Sequence, residues 1–350
     1  MSESTDLIYH IWYVAAASSQ IARGETLAKT ILGQQVLLGR TNEDAVFALR
    51  DFCPHRGIPL RYGRFDGKEI ECCYHGWKFN CEGKCTSIPS LTPEDNVDIS
   101  RIKAAAFPCR EQDGLIWVYI PAPKTRVPEQ LPDIPASPAP IIGGYRHVES
   151  VLFPCNIDHA VIGLMDPSHG PFVHASWWWR SARSMHVKEK KFAPTPLGFK
   201  MVAHKPSSNS RAYKILGLTN LKTEISFSLP SLRTEFISTD GGYIVLLTAL
   251  TPIDHSRTQL HQFFYSNLPL TKWLYPLVLP FGKAFIRQDL EIVKKQQEGL
   301  SSDHPSLMLL GDADQQALWY FKLKKDFLSA QENGTPFENR VPEKILRWKS

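Results

Sequence analysis

Between Pro121 and Pro140 the chain carries seven prolines, at 121, 123, 128, 132, 135, 138 and 140. Each lacks a backbone N–H and fixes φ, so a run this dense forms neither a helix interior nor a central strand. It reads as an extended linker that divides the 350 residues in two. Length points the same way, because single hydrophobic cores stop growing beyond roughly 250–300 residues. The expected organisation is a first domain over 8–122, a linker over 123–144 and a second domain over 145–350.

The two sides differ in pattern. Before the linker, Gln35–Gly39 and Leu115–Ile120 are apolar, β-favouring runs, and glycines at 57, 63, 67, 76 and 83 punctuate the middle. A small β-rich domain suits this. After Tyr145 the pattern is mixed. It holds a helical stretch near Asn156–Trp179, strands such as Tyr243–Leu250 and Gln259–Tyr265, and a late helix near Lys283–Glu298. Strands that form a sheet, with helices to cover it, make the overall class α+β. The tail from Asn333 is polar and reads as loosely held, with Trp348 as its one anchor.

Composition narrows the function classes. Hydrophobic residues at 43% and charged residues at 21% argue against a disordered chain. A net charge of +5, with no basic run, argues against a nucleic-acid partner. No stretch of about 18 apolar residues exists to span a membrane. The start, MSESTDLIYHIWYV, is acidic where a secretory signal would be basic, so a soluble, cytoplasmic protein is expected. The apolar run from Leu268 to Phe285 is interrupted by Pro269, Lys272, Pro276 and Pro280. It reads as a loop covering the active site, with peripheral contact to a membrane surface as the alternative.

Seven cysteines suit a disulfide framework poorly, and their clustering points to metal. Cys53-Pro54-His55 and Cys72-Cys73-Tyr74-His75 give C-x-H, a gap of sixteen residues, then C-x2-H. Two thiolates and two imidazoles bind either zinc or a [2Fe–2S] cluster of mixed ligation. The flanks favour the cluster: the surroundings read as strands and Gly-Pro loops, and each ligand loop carries a glycine, Gly57 or Gly76, beside the ligands. CPHRG and CYHGWKFNCEGKC resemble the two ligand loops of Rieske iron–sulfur proteins. That resemblance implies Cys53, His55, Cys72 and His75 as the ligands. Cys73 stands where that family often has proline and is not assigned. Cys81 and Cys85 form a C-x3-C pair without a second pair, and a structural role is expected for them.

A second constellation lies beyond the linker. Asp166-Pro167-Ser168-His169-Gly170-Pro171-Phe172-Val173-His174 gives D-x2-H-x4-H. Two histidines and a carboxylate form the facial triad of mononuclear non-haem Fe(II), which leaves positions open. A spacing of five does not share one face of a regular helix, but Gly170-Pro171 offers a break and Pro171 can start a new turn. Downstream, Asp289 is the strongest further carboxylate. On a helix its neighbours at three and four residues are Phe285, Ile286, Ile292 and Val293, all apolar. A carboxylate on such a face is costly unless paired or metal-bound. Asp254, Asp312 and Asp314 sit in turn-like settings and are weaker candidates. His159 is expected in the core or behind the ligands.

Together, the ligand loops, the linker and the D-x2-H-x4-H motif resemble the terminal components of Rieske non-haem iron oxygenases, over most of the chain. The resemblance implies a helix-grip catalytic domain, an antiparallel sheet gripping a helix, behind the Rieske domain. It implies iron held by His169, His174 and Asp289, and Asp166 as a carboxylate bridging histidines of both metal sites across a subunit interface of a homotrimer. The asparagine that the family often has a few residues before this aspartate is missing from Ile162-Gly163-Leu164-Met165. The cofactors implied are a [2Fe–2S] cluster and a mononuclear Fe(II). The electron donor implied is an external reductase, with or without a ferredoxin, drawing on NAD(P)H. No dinucleotide or flavin fingerprint is convincing in the chain itself. The expected reaction is hydroxylation or demethylation of a hydrophobic, cyclic substrate with O2, as in the monooxygenase and demethylase branch. Two alternatives stay open: cis-dihydroxylation of an aromatic ring, or an electron carrier without catalytic iron. Trp177-Trp178-Trp179 follow the histidine pair and either line the pocket or pack elsewhere.

Overall fold

The structure, a computed structural model, describes residues 7–135, 147–174, 185–205, 219–303 and 308–350. The chain forms two compact units, one of residues 9–134 and the other of 1–8 with 135–350. The division falls inside the proline-rich run. Its first part belongs with the first unit because Trp12 donates its indole N–H to the Pro132 carbonyl at 2.7 Å and Ile134 is buried. Residues 136–144 of the expected linker lie outside the described residues.

The first unit is built from three antiparallel sheets. Strand Leu115–Ile120, buried at every position, is paired on both sides, by Ile11–Ala17 and by Cys109–Gln112. A four-stranded sheet runs Thr26–Ile31, Gln34–Arg40, Val46–Arg50, Ala106–Phe107. A second runs Arg64–Phe65, Glu69–Glu71, Lys78–Asn80, Cys85–Ser87. The expected strands at 35–39 and 115–120 are both present. Leu37, Leu49, Leu60, Ile70 and Phe79 share one buried cluster with Cys53 and Cys72, so the two thiols sit on the core of the unit.

The second unit is an α+β structure around one eight-stranded antiparallel sheet. Its order is His147–Phe153, Thr258–Ser266, Gly242–Pro252, Leu232–Thr239, Lys222–Ser228, Gly198–His204, Val187–Thr195, Lys344–Lys349. The last strand corrects the expectation of a loose tail. It pairs with Val187–Thr195 from Val187↔Lys349 to Phe192↔Lys344, and Leu346 and Trp348 point inward while their neighbours are exposed. Period-two alternation holds the tail to the sheet despite its polar composition.

Among the described residues four helices accompany the sheet: α1 Ile157–Met165, α2 Gly170–Val173, α3 Pro269–Asp303 and α4 Gln315–Asn333. The sequence placed a loop at 268–285 and a helix only from Lys283; instead α3 is helical over 35 residues. Pro269 stands at its first position, where no N–H is required. Pro276 and Pro280 are four apart, so both missing N–H groups fall on one side of the helix, and each removes one hydrogen bond from a ladder that is otherwise long. α4 docks through rings: Trp319 meets Phe192 and Phe199 edge-on, and Tyr320 meets Phe227. Such pairs are worth about 0.5–1.5 kcal/mol each beyond burial. Tyr320 and Lys324 also reach Asp158 of α1, with Lys324 Nζ 2.8 and 2.7 Å from its two oxygens. This pair is almost fully enclosed, at 4% and 6% side-chain exposure, and fixes α1 to α4. No described helix is long and apolar enough to cross a membrane.

Candidate metal centres

Both cysteine loops have one backbone design. The Cys53 N–H donates to the Ile58 carbonyl and the Gly57 N–H returns to the Cys53 carbonyl. The Cys72 N–H donates to the Trp77 carbonyl and the Gly76 N–H returns to the Cys72 carbonyl. The fifth residue of each loop is a glycine in the left-handed region, φ +73° at Gly57 and +68° at Gly76. That is a conformation glycine adopts at little cost and other residues rarely do. The C-x3-G spacing of CPHRG and CCYHG therefore records the turn as much as the ligands.

These loops set two thiols inward and two imidazoles outward. Cys53 and Cys72 are buried, whereas His55 is half-buried and His75 exposed. The imidazole rings are 4.7 Å apart between centroids, and Trp77 lies flat on His55 at 4.4 Å and 5°. Burial pushes the Cys53 thiol up to about 11, and the neighbouring Cys72 adds to this against the pull of the His55 and Arg56 backbone N–H groups. Two adjacent buried thiols of this kind become thiolates when a cation binds them. All seven cysteines are free. Two sulfurs on the inner side and two ring nitrogens on the outer side suit a cluster with one iron on thiolate and the other on imidazole. Cys81 and Cys85 point their sulfurs at the carbonyls of Lys68 and Ser87. A buried carboxylate supports the first loop: Asp51 accepts from the Arg61 backbone N–H at 2.8 Å and pairs with its side chain.

The second centre starts where α1 stops. Asp166 is already extended, at ψ 117°, and accepts from the N–H and hydroxyl of Ser168 at 2.7 and 2.6 Å. α2 is a single turn with proline in its first positions, so the Gly170-Pro171 break acts as the sequence implied. The break turns His169 and His174 toward each other, with their Nε2 atoms 3.1 Å apart. Asp289 arrives from α3, and its Oδ1 lies 3.1 Å from His174 Nε2 and 3.8 Å from His169 Nε2. Ligand atoms of these three residues all fall within 4.8 Å of one another. Two cis ligands about 2.1 Å from one ion are about 3.0 Å apart, so the spacing fits a shared divalent cation. Lone pairs facing one another at this range repel, and a proton or a metal between them is what holds them together.

The surroundings bear on the charge. Burial disfavours charge on Asp166, but hydrogen bonds from His169 and Ser168 outweigh it and hold the carboxyl below its usual range. Burial likewise disfavours His169 imidazolium, and Asp166 and Asp289 outweigh it, raising the imidazole. His169 Nδ1 is 3.6 Å from Asp166 Oδ2, which leaves Nε2 for the shared point. Of the four apolar neighbours expected around Asp289, Ile286 and Val293 are buried and Phe285 is half-buried, but Ile292 is exposed. The aspartate accordingly sits at the rim of the apolar face. His159 is buried in α1 outside the trio. Asp254 and Asp312 are engaged with Arg257 and Lys344. The Trp177–Trp179 run lies outside the described residues. Sequence reasoning missed the partners of His174: Phe285, stacked at 3.4 Å and 15°, and Gln288, whose Oε1 is 2.9 Å from Nδ1. Their three- and four-residue spacing along α3 with Asp289 was the available signal.

Comparison with known proteins agrees with this geometry. Residues 11–108 match the Rieske [2Fe-2S] domain family. The chain is 33% identical over 170 residues to the oxygenase component of dicamba O-demethylase from Stenotrophomonas maltophilia, covering 48% of each. It is 36% identical over 130 residues to the 3-chlorobenzoate-3,4-dioxygenase oxygenase subunit of Comamonas testosteroni, covering 37% of this chain and 29% of that one. The chain thus spans about half or less of the length of these relatives. The crystal structure of dicamba monooxygenase bound to dicamba superposes with a TM-score of 0.72 over 93% of this chain and 98% of the other, at 21% identity, which is a likeness of fold.

Proposed function

We propose that this chain, which carries a Rieske [2Fe–2S] domain and is homologous to oxygenase components of the Rieske type, is itself a terminal oxygenase. It would take electrons from a reductase, directly or through a ferredoxin, and use O2 to hydroxylate or demethylate a small, hydrophobic, cyclic substrate. One observation carries this reading: His169, His174 and Asp289 converge within 4.8 Å in the unit that lacks the cysteine loops. An electron carrier has no need of that trio, so the carrier reading is the weaker one.

When bound, a cluster supplies single electrons and a mononuclear ferrous ion supplies the activation of O2. Cys53 and Cys72 would hold one iron of the cluster as thiolates, and His55 and His75 the other as imidazoles. His169 and His174 would each offer Nε2 to the mononuclear site, and Asp289 its carboxylate. Asp166 holds His169 from the Nδ1 side and would bridge to a cluster histidine of a neighbouring subunit, in the homotrimer that the family resemblance implies.

The substrate would lie against the sheet face that the helices cover, and strand register identifies that face. Lys283 of α3 pairs with Glu149 at 3.3 Å. Glu149 opposes Gln262, which opposes Thr248, then Arg233, then Phe227 beneath Tyr320 of α4. This face therefore lies on the side of the helices. The adjacent row on the same face includes Phe264, Leu246 and Ile225, all half-buried, with the Arg233–Glu235 pair beside them. This second row, apolar apart from Glu235, beside the polar row of Gln262, Thr248 and Arg233 would suit a cyclic substrate bearing a polar substituent. The test is a substrate panel with the reductase supplied, reading O2 consumption and formaldehyde. Substrate-dependent O2 uptake with product formation supports the proposal. Cluster reduction without O2 uptake across the panel favours the carrier.

A further inference from the structure

His174 is gripped by one face of α3. Phe285, Gln288 and Asp289 stand at i, i+3 and i+4, and all three meet the imidazole. Phe285 fixes the plane of the ring. Gln288 meets Nδ1, and Asp289 lies beside Nε2.

An amide oxygen accepts hydrogen bonds and does not donate them. With Gln288 Oε1 2.9 Å from Nδ1, that nitrogen carries the proton. The other nitrogen of a neutral imidazole then presents its lone pair. That nitrogen is Nε2, the atom 3.1 Å from both His169 Nε2 and Asp289 Oδ1. We infer that Gln288 is a positioning residue: it fixes the Nδ1–H form of His174 and so aims the Nε2 lone pair at the metal. This rests on the reading of the trio as an iron site.

The environment gives the hydrogen bond its weight. The His174 side chain is only 2% exposed, so water is a poor substitute for the lost acceptor. Without Gln288, the buried N–H would be left without its partner or the proton would shift to Nε2. The second outcome puts a proton where the ion must bind. A half-turn of the ring would keep the stack with Phe285 but carry Nε2 away from the shared point.

The experiment titrates Co(II) into protein with its cluster assembled, reading the cobalt absorption bands. It compares the parent with Gln288→Leu, Gln288→Met and Gln288→Glu, and with Asp289→Ala as the no-site control. Leu and Met remove the acceptor, whereas Glu keeps it. The expected result is an affinity loss of about 10–100-fold in the Leu and Met variants, with affinity and band positions kept in Gln288→Glu. Unchanged cluster absorption and thermal midpoint verify folding, and Met covers the case in which Leu does not fold. Leu and Met affinities within about twofold of the parent overturn the positioning role, as does an equal loss in Gln288→Glu, which would make the glutamine a donor. Failure of the underlying reading looks different: the parent itself would bind no Co(II) beyond Asp289→Ala.

Discussion

The two candidate centres are assembled in opposite ways. The first is made of two short loops of one design, each closed by its own backbone hydrogen bonds and a left-handed glycine, with both thiols set on the core of a small β unit. The second gathers a helix stop, a single helical turn and a face of a helix more than a hundred residues away. Its geometry depends on how α1 and α3 sit on the sheet, and α1 is held in turn by the enclosed Asp158–Lys324 pair. Local closure makes a centre that tolerates distant change. Assembly through packing makes one that does not.

Several substitutions break or sharpen this contrast. Replacing Asp289 with Ala should have the largest effect. Substrate oxidation should be lost by more than the roughly 10–100-fold typical of a supporting residue, while the cluster's visible absorption persists. Retained turnover would remove Asp289 from the ligand set. Next is Asp158→Ala, which leaves the Lys324 ammonium buried without its carboxylate. Breaking such a pair costs about 3–5 kcal/mol, so the second unit should melt earlier in calorimetry while the cluster spectrum holds. A cluster lost in step with that melting would contradict the independence of the first centre.

Asp166→Asn should act on transfer and leave assembly alone. Single-turnover kinetics should show cluster oxidation slowed by roughly 10–100-fold at normal cluster content. A normal transfer rate would remove its bridging role. The smallest effect is expected at Gly57→Ala. Space around the added methyl is open, so only the left-handed φ is penalised, by about 1–2 kcal/mol. Denaturation of the first unit would measure it, and no change would mean that the loop relaxes without its glycine.

Legibility in the sequence followed the same division. The ligand loops of the first centre were readable because the residues that shape each turn, from the cysteine to the glycine and the residue after it, are consecutive. The helix break at Gly170-Pro171 was readable for the same reason, since proline there permits a new turn but not a continued one. Asp289 was singled out from its apolar neighbours at three and four residues, although Ile292 proved exposed, and the structure brings it beside His169 and His174. The roles of α3 beyond that were not readable. Its prolines argued for a loop, because local propensity does not weigh the hydrogen bonds that a long helix retains around them. The final strand was missed because an edge strand with only Leu346 and Trp348 facing inward looks polar. The spacing of Phe285, Gln288 and Asp289 puts them on one face of α3, but that this face meets His174 depends on packing between segments more than a hundred residues apart.

The most direct measurement counts metal and sulfide in one sample. Protein purified anaerobically and made iron-replete should hold about three iron and about two acid-labile sulfide per chain, with the absorption of a mixed-ligand cluster. Asp289→Ala should hold about two of each. A parent with two iron per chain and full substrate oxidation, or a folded and active protein without sulfide, would contradict the presence of two separate iron centres.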